Sequence, residues 1–164
     1  MNEIVHDKLN DEAYKLLDLP TLEFSYGNIE FFNKETIDNA QKGFRYNALT
    51  NEKIDAWVGD DYIVIGYDSV SGSGPDPYII NTADPKLPVY WLMSDGGDWS
   101  NPDLICDSLE KFNKIINLLA TYKNYFTGSL TQELKDEIIS KICEIENSET
   151  VNENWDELLN IAMN

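Results

Sequence analysis

The sequence predicts an α+β fold in one domain, with a largely antiparallel or mixed central sheet and helices packed on it. Three β-branched and aromatic runs, Tyr62-Ile63-Val64-Ile65, Tyr78-Ile79-Ile80 and Val89-Tyr90-Trp91-Leu92-Met93, lie close together and are closed by Gly, Pro, Asp and Asn. The linkers between them, Ser69 to Pro77 and Asn81 to Pro88, are too short for crossover helices, so neighbouring strands should pair antiparallel. Helical periodicity concentrates in the C-terminal part of the chain. At 164 residues the chain suits one domain with a real core, spanning 1–164, in which 129–164 is a helical segment too short to stand alone.

Taken in order, apolar Leu9, Ala13, Leu16 and Leu17 share one stripe, Asn10 or Asp11 is placed to cap it, and Pro20 follows, so Leu9 to Leu19 should be a short helix. Leu22, Phe24 and Tyr26 alternate with polar residues, and Ile29 to Phe32 returns, which predicts a hairpin turning at Gly27-Asn28. Glu35 to Lys42 carries Ile37 and Ala40 at helical spacing, with Gly43 as a left-handed stop. Tyr46 to Ala56 is mixed and polar and reads as a surface connection. The three central runs lack polar alternation, which suits strands covered on both faces. Asp107 with Glu110 fits a capping box for a helix from Asp107 to Tyr125, with Leu109, Phe112, Ile116, Leu119 and Tyr122 on its stripe. Thr131 caps a helix that buries Leu134, Ile138, Ile142 and Ile145. Asn154 with Glu157 offers a capping box for a last helix bearing Trp155, Leu158, Leu159 and Ala162.

Several segments together carry a family likeness: Glu35 to Tyr46, Trp57, Ile63-Val64-Ile65-Gly66-Tyr67-Asp68, Asp76-Pro77-Tyr78-Ile79-Ile80-Asn81, Pro88-Val89-Tyr90, Gly97-Asp98-Trp99 and Ile105 to Phe112. In this order they resemble the SUKH superfamily, in its branch related to the yeast cell-wall synthesis regulator. Two departures stand out. Many relatives have Gly-Asp-Pro where this chain has Ser73-Gly74-Pro75-Asp76-Pro77, and many have His-Gly where it has Ser94-Asp95, so a role resting on that histidine does not carry over. The resemblance implies an α+β fold and a cytoplasmic immunity protein that neutralises a polymorphic or contact-dependent toxin by binding it. It also implies a second role, as a regulatory or scaffold module that binds a cellular protein or small ligand.

Composition narrows the partners. Hydrophobic residues make up 42% and aromatics 12%, which argues against disorder. Thirty acidic against twelve basic side chains give a formal charge of -18, which disfavours direct binding to nucleic acid or anionic membranes and steers association toward basic partners. No apolar run is long enough to span a membrane, and no signal peptide opens the sequence, so a cytoplasmic location is expected. Cys106 and Cys143 each sit beside apolar residues in what reads as helix, and buried free thiols are expected. One histidine, His6, and no cysteine cluster leave zinc without support.

Acidic residues crowd the strand ends: Asp60, Asp61, Asp68, Asp76, Asp84, Asp95, Asp98, Asp103 and Asp107. A carboxylate pair serves glycosidases and calcium sites, yet aspartate is also a common turn and cap residue, and turn chemistry predicts this pattern. Asp68 to Gly72 lacks the ligand spacing of an EF-hand. Gly72-Ser73-Gly74 is followed by Pro75-Asp76-Pro77 and a strand rather than by Lys and a helix, which excludes a Walker loop. There is no Gly-x-Ser-x-Gly elbow, and Cys106 has no histidine partner. We therefore expect no catalytic residue, metal or cofactor, and a surface that binds a basic protein, which the SUKH resemblance implies is a toxin domain. Tyr67, Asp68, Asp76, Trp91, Asp95, Asp98 and Trp99 are its expected contacts. Trp57 and Tyr78 are expected in the core, and Tyr67, Trp91 and Trp99 would form a patch if they faced solvent together.

Overall fold

A computed structural model describes residues 5–70, 75–93, 99 and 101–164. Its strands are β1 (Leu22–Phe24), β2 (Gly27–Phe31), β3 (Tyr62–Asp68), β4 (Asp76–Asn81), β5 (Val89–Trp91) and β6 (Asp103–Cys106). They form one sheet in chain order, every pairing antiparallel. With the helices packed on that sheet, the chain is α+β and a single domain. The short linkers from β3 to β4 and from β4 to β5 leave those strands no route except back beside their predecessors, whereas β2 and β3 pair across the longer stretch that holds α2 (Ile37–Ala40).

The helices are α1 (Asp11–Leu16), α2 (Ile37–Ala40), α3 (Leu109–Thr121), α4 (Gln132–Ile145) and α5 (Glu149–Ala162). Side-chain caps set four of their starts: Asn10, Ser108, Thr131 and Ser148 accept hydrogen bonds from the backbone N–H groups of Ala13, Lys111, Leu134 and Val151. Gly43 takes the left-handed conformation expected of it, with φ at +90°.

The central strands are covered on both faces, as their unbroken apolar runs predict. Ile63, Ile65, Tyr78, Ile80, Val89 and Ile105 face the helices and join Phe112, Ile116, Ile142, Trp155 and Leu159 in the main core. Val64 and Ile79 face the other way and form a second cluster with Trp57, Leu92 and Trp99. Trp57 and Tyr78 are thus core residues, as expected.

The Tyr46–Ala56 stretch does more than connect. With its neighbours it supplies Phe44, Ile54, Trp57 and Val58 as the cover of that second face, and it buries Arg45 and Tyr46. Two side chains fasten this cover to β3 where β2 does not reach. The Gln41 amide donates to Val64 O at 2.9 Å and accepts from Val64 N at 2.9 Å, while Trp57 Nε1 donates to Tyr62 O at 3.1 Å.

Other boundaries differ from expectation, each for a local reason. The first hairpin turns at Ser25-Tyr26, because Gly27 pairs with Phe24 and lies in β2. Gly27 serves close approach there: a Cβ on it would lie 2.6 Å from the Ser69 carbonyl oxygen. Residues 103–106 form an edge strand ahead of α3, so Cys106 is buried in a strand rather than a helix, and Cys143 is half-buried. The cap of α3 is Ser108, one residue later than Asp107. Helix α5 starts at Glu149 on the Ser148 cap, which leaves Asn154 inside the helix, donating to Leu104 O at 3.4 Å.

Candidate functional site

The site is built by a bulge in β3. Tyr62, Ile63 and Val64 pair with Asn81, Ile80 and Ile79, but Gly66 pairs with Tyr78, so Ile65 is an extra residue. An extra residue reverses the alternation of faces. Beyond it Gly66 and Asp68 turn toward the helices and Tyr67 turns away. Gly66 permits the crossing, since a Cβ there would lie 2.5 Å from Glu30 O and 2.6 Å from a Phe31 ring carbon.

The sequence places Asp68 and Asp76 at strand ends, as expected contacts of a partner. They are instead cross-strand partners inside the β3–β4 ladder, each only 2% exposed. Asp68 Oδ1 accepts from Val70 N at 2.7 Å. Two residues further along the same face lies Tyr78. Burial pushes its phenol well above the ordinary value, and the nearby Asp68 and Asp76 charges push it further. Trp91 is directly opposite Tyr78 on β5.

Helix α5 crosses this part of the sheet and leaves a cavity of about 150 Å³. Its sheet wall is Asp68, Tyr78, Trp91 and Ile105; Asn154, Trp155, Glu157 and Leu158 come from α5, and the exposed Met93 also lines it. Neither the Trp91 nor the Trp155 indole N–H has a hydrogen-bond acceptor among the described residues.

The outer side of α5 is different. Glu149, Glu153, Asp156 and Glu157 line a shallow, solvent-open groove shared with Ile139 and Asn147. Asp156 pairs with Lys135 at 2.7 Å, whereas Glu149, Glu153 and Glu157 have no ion-pair partner among the described residues. From Ile142 to Asn164 the chain has six acidic residues and no lysine or arginine. Sequence reasoning looked for the acidic contacts at strand ends and missed this run; the absence of any basic residue beyond Lys141 was the signal that could have revealed it.

The residues expected to form a contact surface are therefore divided. Asp68 and Trp91 meet at the cavity, with Asp76 beside them in the ladder. Half-buried Tyr67 lies on the opposite face, against Phe32 with ring centroids 5.9 Å apart. Trp99 is 8% exposed and packs against Trp57 and Phe44, so Tyr67, Trp91 and Trp99 do not share a solvent-facing patch. Asp95 and Asp98 lie outside the described residues.

Among the described residues no group of three or more His, Cys, Asp and Glu is placed to hold a metal ion, and no helix is long and apolar enough to cross a membrane. No protein-family model, curated protein or solved structure matches the chain.

Proposed function

We propose that this chain is a non-enzymatic, cytoplasmic protein-binding domain whose partner is basic, and that it acts as an immunity protein by seating on a cognate toxin, as the SUKH resemblance implies. One observation supports the reading: the outer face of α5 presents Glu149, Glu153 and Glu157, without ion-pair partners among the described residues, along one groove in a stretch without a basic residue. Carboxylates fixed on a capped helix keep their spacing, and a protein of net charge -18 draws a basic partner in from a distance. Ile139 in the same groove offers an apolar contact once the partner has docked.

The test is association with the product of an adjacent toxin reading frame. Replacing Glu149, Glu153 and Glu157 together by Gln should slow association and flatten its dependence on ionic strength, with the fold retained. Equal association rates for the two proteins across salt concentrations would refute the α5 assignment. A second reading, a regulatory or scaffold module with a small ligand, is favoured by the cavity beneath α5.

A further inference from the structure

We propose that the cavity between α5 and strands β3–β5 binds one phenol ring, meaning a single uncharged aromatic six-membered ring that carries a hydroxyl. The inference does not depend on the basic-partner reading, and Glu157, which borders both the cavity and the outer groove, has no part in it. Size sets the first limit: a cavity of about 150 Å³ in a packed protein holds a ring the size of benzene and little more.

The walls set the second. Tyr78 and Trp91 on the sheet and Trp155 on the helix border the cavity, together with Ile105, Leu158 and Ile161. Phe112 holds two of these rings in place, its centroid 5.7 Å from that of Tyr78 and 6.1 Å from that of Trp155. A flat aromatic ring makes offset or edge-on contacts with such walls, and walls already fixed lose little freedom when it enters. A charged group would give up its hydration there against mostly apolar surroundings.

Two polar groups decide what the ring carries. Tyr78 is 4% exposed, and its hydroxyl has no hydrogen-bond partner among the described residues. Burial keeps that phenol protonated, so it has a proton to donate. The Asn154 amide nitrogen donates to Leu104 O at 3.4 Å and to Thr150 O at 3.3 Å, which leaves its Oδ1, an acceptor, without a partner among the described residues. A hydroxyl is the smallest group that accepts from the one and donates to the other. Benzene satisfies neither, and an ammonium has no acceptor to offer Tyr78. A sugar ring would press further hydroxyls against Ile105, Leu158 and Ile161. The same chemistry occurs in a free phenol and in the tyrosine side chain of another polypeptide.

The experiment follows the indole N–H resonances of the ¹⁵N-labelled chain while phenol, benzene, benzylammonium, benzoate or methyl glucoside is added. The ring current of a bound aromatic should move the Trp91 and Trp155 resonances together, while that of Trp57, on the other face of the sheet with its indole donating to Tyr62 O, stays in place. Phenol should bind with a dissociation constant on the order of 1 mM. It should bind about threefold to tenfold more tightly than benzene, the gain from one net hydrogen bond. Tyr78→Phe keeps the wall and removes the hydroxyl, so phenol should lose this advantage while benzene binds as before. A merely structural role for Tyr78 would move both ligands alike. If Tyr78→Phe fails to fold, Asn154→Ala, at a half-buried position of the lining, is read in the same way. Comparing p-cresol with N-acetyltyrosinamide separates the two sources: tighter p-cresol assigns a free small molecule, and tighter tyrosinamide assigns the side chain of a partner.

Failure of phenol to move either indole at about 10 mM would overturn the proposal and leave a cavity that holds water only. Benzene binding the parent protein as tightly as phenol would overturn it too, as would a phenol preference that survives in Tyr78→Phe. So would tighter binding of benzylammonium, benzoate or methyl glucoside than of phenol.

Discussion

Replacing Gly66 by alanine should cost far more than a methyl group normally does. The new Cβ would meet Glu30 O at 2.5 Å and the Phe31 ring at 2.6 Å. The ring can rotate away, but the carbonyl belongs to β2 and moves only if that strand moves. Accommodating extra volume in a packed site costs about 1–3 kcal/mol, and each ladder hydrogen bond lost as β2 shifts adds about 0.5–1.5 kcal/mol. A total of about 3–4 kcal/mol follows, which in a domain of this size lowers Tm by about 10 °C.

Gly43→Ala is the control. Its φ of +90° penalises a side chain, yet nothing lies within 4 Å of the added Cβ, so only the backbone cost of about 1 kcal/mol applies. Urea denaturation of the three proteins compares them, with equal m-values showing that the same surface unfolds. A Gly66→Ala variant no less stable than Gly43→Ala would refute the claim that close approach of β2 sets the bulge, and with it the account of how Asp68 reaches the cavity.

Two further outcomes follow from buried groups. Gln41→Ala removes the bonds to Ile37 O at 2.8 Å and to both backbone groups of Val64, leaving those groups buried without partners, and should destabilise the chain by about 3 kcal/mol. The Val64 amide should then exchange with solvent faster; a loss under about 1 kcal/mol would contradict this. Burial pushes the Cys106 thiol up to about 12, so at pH 8 about one molecule in ten thousand carries its thiolate. A thiol reagent should label half-buried Cys143 first, and Cys106 labelling should climb with pH through the alkaline range; equal rates at pH 8 would contradict the burial of Cys106.

Much of the fold was legible because it rests on local rules. The unbroken runs at Tyr62 and Tyr78 announced strands covered twice, and Thr131 with the stripe through Ile138 and Ile142 announced α4. Residues that depend on distant partners were not. Asp103–Cys106 reads as a helix approach and becomes a strand only because β5 lies beside it. Gly66 reads as the end of a strand, whereas the nearness of Glu30 makes it the pivot of a longer one. Asp68 and Trp91 could be singled out from the sequence, but Trp155 and Glu157 join them only through the docking of α5, which no local pattern specifies.

The anchoring of Gln41 and Trp57 on β3 also says where another chain cannot attach. Past the end of β2, an incoming strand would need the main-chain groups of Val64 and Tyr62, and side chains of the same molecule already occupy both. The half-open flank is stoppered, which guards against sheet-to-sheet aggregation. It also denies that flank to any partner that binds by adding a strand.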